Sequence, residues 1–403
     1  MTAVRPRVSA GRQRNGGRVF GPGELMSNES VETFGRTAND AARAATAGRY
    51  VLHTLANATR ISREGDARTL VGAFRKVPAI IACAGPSLDR NIHDIAHVRD
   101  RALIIACDTA ARPLMHAGVE PNLIVAIDGS QTNAAHLAGL PVRRARLVAE
   151  GSLHPSAFGS FERRTFFCKV SDHEPWSWFR SIGVDRQRLE AWGSVATTAF
   201  ALALEMGCDP IVFIGADMAF TDGRAYCRGT SFESQWASWT ASGETYDAVW
   251  AQLVGRWTQI EASDVTGRKV VTAPHLLEFR NWIVRRAATT QARVLNATGA
   301  GLLTGGAVAE ATAWEALHAS PALDASAVDR ALADLHQIDT DEMPRMYDAV
   351  TEVVAGGRAE DIRRWIEFSA SRLTPGAIRH ALCTPDQEAW ALAHSRFLAL
   401  ESI

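Results

Sequence analysis

Three aspartates close short apolar runs in this chain: Asp108 follows 102–107, Asp128 follows 123–127, and Asp217 follows 211–216. A carboxylate in such a place can bind a ribose hydroxyl, hold a metal or accept a proton. A fourth run, A-I-I-A-C-A-G-P-S-L-D at 79–89, breaks at Gly85-Pro86 into a helix start. Gly85 lets the backbone approach a ligand, and the free N–H groups of the following helix offer positive partial charge to a phosphate. One strand-end aspartate is usually a cap or turn residue, and one Gly-Pro usually turns the chain. Their repetition on successive runs argues for a single anionic-ligand site that suits a nucleotide or nucleotide-sugar.

The elements that must position these residues follow from the same runs. Strands this uniformly apolar are buried on both faces, as in a parallel sheet flanked by helices, where ligands sit outside the carboxyl ends of the strands. The fold expected is α/β: a Rossmann-like, mostly parallel sheet with flanking helices, a helical N-terminal region and a helical C-terminal appendage. We divide the chain into a basic arm or misassigned start at 1–26, helices at 27–76, the nucleotide-sugar-binding catalytic domain at 77–304 and helices at 305–403. Further strands are expected at 146–150, 269–272 and 293–296, and helices at 111–117, 133–140, 195–206, 341–354, 359–371 and 387–400.

Composition narrows the function classes. The 403 residues are 47% hydrophobic, enough for a large core, and the formal net charge of −1 leaves no basic stripe for nucleic acid. Cys83, Cys107, Cys168, Cys208, Cys227 and Cys383 form no C-x-x-C pair. They read as core residues of a cytoplasmic protein. No apolar run approaches the roughly 18 residues of a membrane span.

Gly193-Ser194 opens a helix and offers further amides. His154, Asp217 and His275 are the candidate proton acceptors, and His154, after the 146–150 strand, has the better position. His275 opens a helix rich in Leu276, Leu277, Phe279 and Trp282, where packing or capping is the expected role. In Y-C-R-G-T-S-F-E-S-Q-W-A-S-W (226–239), Tyr226 and Arg228 are candidates for contacting a sugar and its carboxylate, with Trp236 or Trp239 as a stacking face or loop anchor. Asp172, His173 and Glu174 are adjacent, and adjacent residues rarely face one metal ion.

Several blocks taken together carry a resemblance: G-P-S-L-D (85–89), C-D-T-A-A-R-P-L (107–114), G-V-E-P-N-L-I-V-A-I-D (118–128), G-S-V-A-T-T-A (193–199), I-G-A-D-M-A-F (214–220) and N-A-T-G-A-G-L (296–302). In order and spacing they resemble the domain shared by motility-associated factor (Maf) flagellin glycosyltransferases and 6-hydroxymethylpterin diphosphokinase-like proteins. The resemblance implies a sialyltransferase-like fold and transfer of a nonulosonic acid from its CMP-activated form to serine or threonine of flagellin, in support of motility. It further implies that Gly85, Pro86 and Ser87 cradle the nucleotide phosphate, that Asp108 and Asp128 line the nucleotide crevice with Gly193 and Ser194, that Asp217 meets sugar or acceptor, and that Asn296 and Thr298 close the pocket. Where Maf proteins commonly read G-Q-D-L-A and then a histidine, this chain has Ala216, Met218 and then Tyr226, and Gly299 stands in place of the usual glutamate. Two alternatives stay open: a diphosphotransferase of the pterin kinase type using Mg²⁺, and a flagellin-binding protein without catalysis.

Overall fold

The computed structural model describes residues 46–370 and 372–383. The basic arm at 1–26 and the helix expected at 387–400 lie outside the described residues. Among the described residues twelve strands are formed: β1 (Gly65–Asp66), β2 (Ala79–Ala82), β3 (Leu103–Cys107), β4 (Leu123–Ala126), β5 (Arg146–Glu150), β6 (Thr165–Lys169), β7 (Gln187–Arg188), β8 (Ile211–Ile214), β9 (Ile260–Ser263), β10 (Lys269–Thr272), β11 (Val294–Asn296) and β12 (Val308–Glu310). Ten of them make one sheet in the order β1-β6-β5-β4-β3-β2-β8-β11-β12, with β7 beside β6, and every pairing in it is parallel.

The uniform burial of the central strands has the expected cause. Successive side chains point to opposite faces, and both faces are covered. Ile80, Ala82, Ile104 and Val212 enter one hydrophobic cluster, while Ala79, Ile81, Ile105 and Phe213 enter the other. Helix 195–205 covers the second face with eight buried residues. Helices 342–354, 359–368 and 375–382 bury Met346, Trp365 and Ile378 against the first. The α/β architecture is therefore the one expected.

The sheet also draws strands from beyond 77–304, with β1 before that segment and β12 after it. Helix in the N-terminal region ends at Arg63, because the chain then extends at Gly65 beside Phe166 and turns at Gly72 with φ +70°. The strand expected at 269–272 is present but lies outside the main sheet. It pairs antiparallel with β9 in a hairpin that belongs to the long crossover between β8 and β11.

Candidate functional site

Strand order reverses at β2, which pairs with β3 on one side and β8 on the other. A crevice opens at the carboxyl ends of the strands beside such a reversal. The loops after β2 and β8 are bound tightly together here: the Gly85 amide donates to the Gly215 carbonyl at 2.8 Å. The Ser87 hydroxyl donates to Asp217 Oδ2 at 2.6 Å, and the Ser87 amide reaches both carboxylate oxygens at 3.3 Å. Asp217 thus satisfies the start of helix 88–98, a place that a free phosphate was expected to fill. Burial pushes its carboxyl above the usual range, against the hydrogen bonds from Ser87. Gly85 and Asp217 line the crevice, whereas Pro86 and Ser87 do not. The expectation of a phosphate cradled by free amides at Ser87 is corrected accordingly.

The crevice has a volume of about 690 Å³ and gathers Asp108, Asp128, Gly193, Ser194, Tyr226 and His275. Asp108 begins helix 108–116 directly after β3 and is 1% exposed. Burial raises its pKa to about 6, even though Asn133 Nδ2 donates to Oδ2 at 2.6 Å and the Thr109 amide donates to Oδ1 at 2.7 Å. Asp128 is exposed and accepts the Ser130 amide through Oδ1 at 2.8 Å. Gly193 takes φ +73°, a region open to glycine at little cost, and so turns the chain into helix 195–205. Ser194 caps that helix by accepting the Ala196 amide, so the N-terminal end of an eleven-residue helix faces the cavity.

Tyr226 stacks on Phe232 with centroids 5.1 Å apart. Its hydroxyl is pushed up to about 12 by burial, then by the charges of Asp108 and Asp128. His275 projects from the start of helix 274–287, with Trp257 and Phe279 rings 5.7 and 5.8 Å away. Burial lowers its pKa, so it is neutral at pH 7 and competent to accept a proton.

Other expected residues lie elsewhere. His154 lines no part of the crevice. Its Nδ1 sits 2.8 Å from the Ser156 hydroxyl and accepts the Ser156 amide at the head of a short 3₁₀ turn. Asn296 is fully buried and donates to the Leu303 carbonyl at 2.8 Å while accepting the Thr298 amide at 3.1 Å. Thr298 in turn accepts the Ala216 amide at 3.0 Å. These two side chains brace the loops after β8 and β11 and do not line the crevice, because their polar atoms are used within the protein. Arg228 is exposed, and among the described residues only its backbone amide is engaged, donating to Asp89 at 2.8 Å. Trp236 packs edge-on against Trp250 at 4.7 Å, and Trp239 is exposed. Asp172 pairs with Lys169 at 2.9 Å and with Arg180, and Glu174 accepts the Trp365 indole N–H at 3.1 Å. Among the described residues no three His, Cys, Asp or Glu side chains converge as a metal site.

Sequence reasoning passed over Arg49 and Trp257, which also line the crevice. Arg49 comes from the helix at 46–56, where nothing in the local pattern marks it. Trp257 lies beyond the 226–239 segment and stacks on Phe220 with rings 5.4 Å apart and 10° from parallel.

Residues 52–223 match the family model described as 6-hydroxymethylpterin diphosphokinase MptE-like. An uncharacterized protein of Treponema pallidum (strain Nichols) is 28% identical over 136 residues, covering 30% of this chain and 33% of that protein. The solved Maf glycosyltransferase from Magnetospirillum magneticum AMB-1 superposes with a TM-score of 0.54 at 16% identity, over 83% of this chain and 54% of that one. The chain thus spans about half of the Maf protein and a third of the treponemal one, and the likeness to Maf is one of fold. No helix among the described residues is long and apolar enough to cross a membrane.

Proposed function

We propose, for a chain whose residues 52–223 form an MptE-like domain, that the crevice is the active site of a glycosyltransferase. It would move a nonulosonic acid from its CMP-activated form to serine or threonine of flagellin in the cytoplasm. The observation that carries this reading is the meeting, at the strand ends, of a helix N-terminus at Gly193-Ser194 with a neutral, half-buried histidine, His275, in one cavity.

In the transfer, the bond between the sugar carbon and the phosphate oxygen breaks, its electrons leave with CMP, and the acceptor oxygen bonds to the same carbon. Negative charge gathers on the departing phosphate, where the helix amides and the Ser194 hydroxyl would stabilise it. The acceptor hydroxyl loses its proton, for which His275 is the base we assign. Tyr226 and Trp257 would border the sugar, and Asp108 and Asp128 the nucleotide. Mass spectrometry of flagellin from a strain lacking this protein tests the reading: flagellin of unchanged mass would end it.

The diphosphotransferase reading keeps one specific support, the MptE-like match itself. In it Asp108 and Asp128 would face Mg²⁺ on a nucleoside triphosphate. Asp108 already accepts bonds from Asn133 and Thr109, while Asp128 keeps one oxygen without a bond to the described residues. Calorimetry with CMP, CDP, ATP and GTP, each with and without Mg²⁺, separates the readings. A requirement for ATP or GTP with Mg²⁺ favours the diphosphotransferase, and metal-independent binding of CMP favours the glycosyltransferase.

A further inference from the structure

Beside the crevice lies a second cavity of about 320 Å³, which shares Arg49, Asp128 and Gly193 with it. Its walls come from six separate parts of the chain, two of them the loops after β4 and β5 at Asp128 and Ser152. Tyr50 projects from the helix at 46–56, Ser171 and His173 follow β6, Trp192 follows β7, and Phe368 ends helix 359–368. These aromatic walls are held in place from behind. The Tyr50 hydroxyl donates to Glu150 Oε1 at 2.8 Å, and the Trp192 indole donates to Glu278 Oε1 at 2.7 Å. Phe368 stacks with His173 at 5.7 Å, with their planes 30° apart. Both tethering carboxylates are fully buried and neither lines the cavity, which is bordered by the rings and not by their acids.

Arg49 stands at the seam of the two cavities and forms no ion pair among the described residues. A fixed aromatic slot that opens onto an uncommitted guanidinium matches a flat, polar heterocycle joined to an anion. The slot's own Ser171 hydroxyl, 3.5 Å from the Tyr50 hydroxyl, supplies a polar edge.

We infer that this chamber is the nucleobase slot of the donor, with Arg49 meeting the phosphate at its mouth, so that the sugar extends into the larger crevice toward His275. The inference rests on the nucleotide-sugar reading above. Tyr50, Arg49 and Phe368 lie outside the MptE-like segment 52–223. The chamber is therefore where this chain sets its own choice of base, and the C-terminal helix 359–368 is part of the site through Phe368 as well as packing.

The test is calorimetry on the full chain with CMP, UMP, AMP and GMP, with cytidine as base without phosphate and ribose 5-phosphate as phosphate without base. Phe368→Ala is expected to weaken the best-bound nucleotide about tenfold, the scale of one lost base–aromatic stack, and to leave ribose 5-phosphate unaffected. Arg49→Ala is expected to weaken the nucleotide and ribose 5-phosphate but not cytidine. Ser171→Phe fills the slot from a half-buried wall and is expected to abolish discrimination among the four bases, which also covers the case in which Phe368→Ala fails to fold. A nucleotide that binds equally well to wild type, Phe368→Ala and Ser171→Phe overturns the slot while leaving the transferase reading intact. A nucleotide bound as described, with no sugar transferred to any flagellin, leaves the slot standing and removes the transferase. Absence of binding by all four nucleotides removes both.

Discussion

The carboxylate of Asp217, which follows β8, accepts the hydroxyl of Ser87, which follows β2, at 2.6 Å. This bond, with the Ser87 amide beside it, fixes the two loops where the order of strands reverses, and it needs a residue without a side chain at Gly85. A methyl group built on Gly85 would meet the Gly215 carbonyl oxygen at 2.5 Å and the Asp217 carboxylate closer still.

Gly85→Ala therefore forces the loops apart, since backbone on the far side cannot swing away as a flexible side chain would. The expected loss is more than about 2 kcal/mol of stability. Urea denaturation measures it, and a variant as stable as wild type would show that the loops are not clamped in solution.

Asp108 gives a pH dependence of definite sign. Its pKa is about 6 in the folded protein, through burial, against an ordinary value of 3.8. The folded chain thus holds a proton that the unfolded chain releases between about pH 4 and pH 6. The group's contribution to stability is full below pH 4 and falls as pH rises through 6, by an amount on the order of 3 kcal/mol. Asp108→Asn removes that slope. Denaturation of both proteins from pH 4 to pH 7 should show their difference moving in the variant's favour as pH rises, and a difference that stays constant would refute the assignment.

The two histidines part company in kinetics. His275→Gln is expected to lower transfer by a factor of about 10² to 10⁴, the usual worth of a positioned base, with nucleotide affinity retained. His154→Gln is expected to leave transfer unchanged, because His154 turns toward Ser156 and not into the crevice. Since burial lowers the pKa of His275, the acid limb of the rate profile should lie below pH 6.5. Product formation followed by mass spectrometry across pH decides both points, and equal losses in the two variants would remove His275 from the mechanism.

The central strands were legible because a strand covered on both faces has to be apolar at every position, as β2, β3, β4 and β8 are. The edge strand β12 was not, since two of its three residues are exposed and its pattern is that of a loop. Strand β10 announced itself through its composition, but nothing local indicates which strand pairs with it, and that decides between sheet and hairpin. The site divides in the same way. Positions after strand ends found Asp108, Asp128 and Asp217, whereas the direction of a side chain depends on tertiary neighbours. Asn296 and Thr298 were drawn inward by Leu303 and Ala216, and His275, which reads as a packing residue on its helix, faces the cavity. Phe368 could not be placed at all from its own segment, for nothing local shows that its helix ends at the wall of the smaller cavity.

The position of β2 bears on how the polypeptide is made. Ala79 pairs with Leu103 on one side and with Ile211 on the other. During synthesis the first flank can close early, while the opposite edge of β2 keeps its amides and carbonyls bare until Ile211 has left the ribosome. Fragments that stop short of that residue expose a ready-made seam of greasy backbone, and self-association is their expected fate.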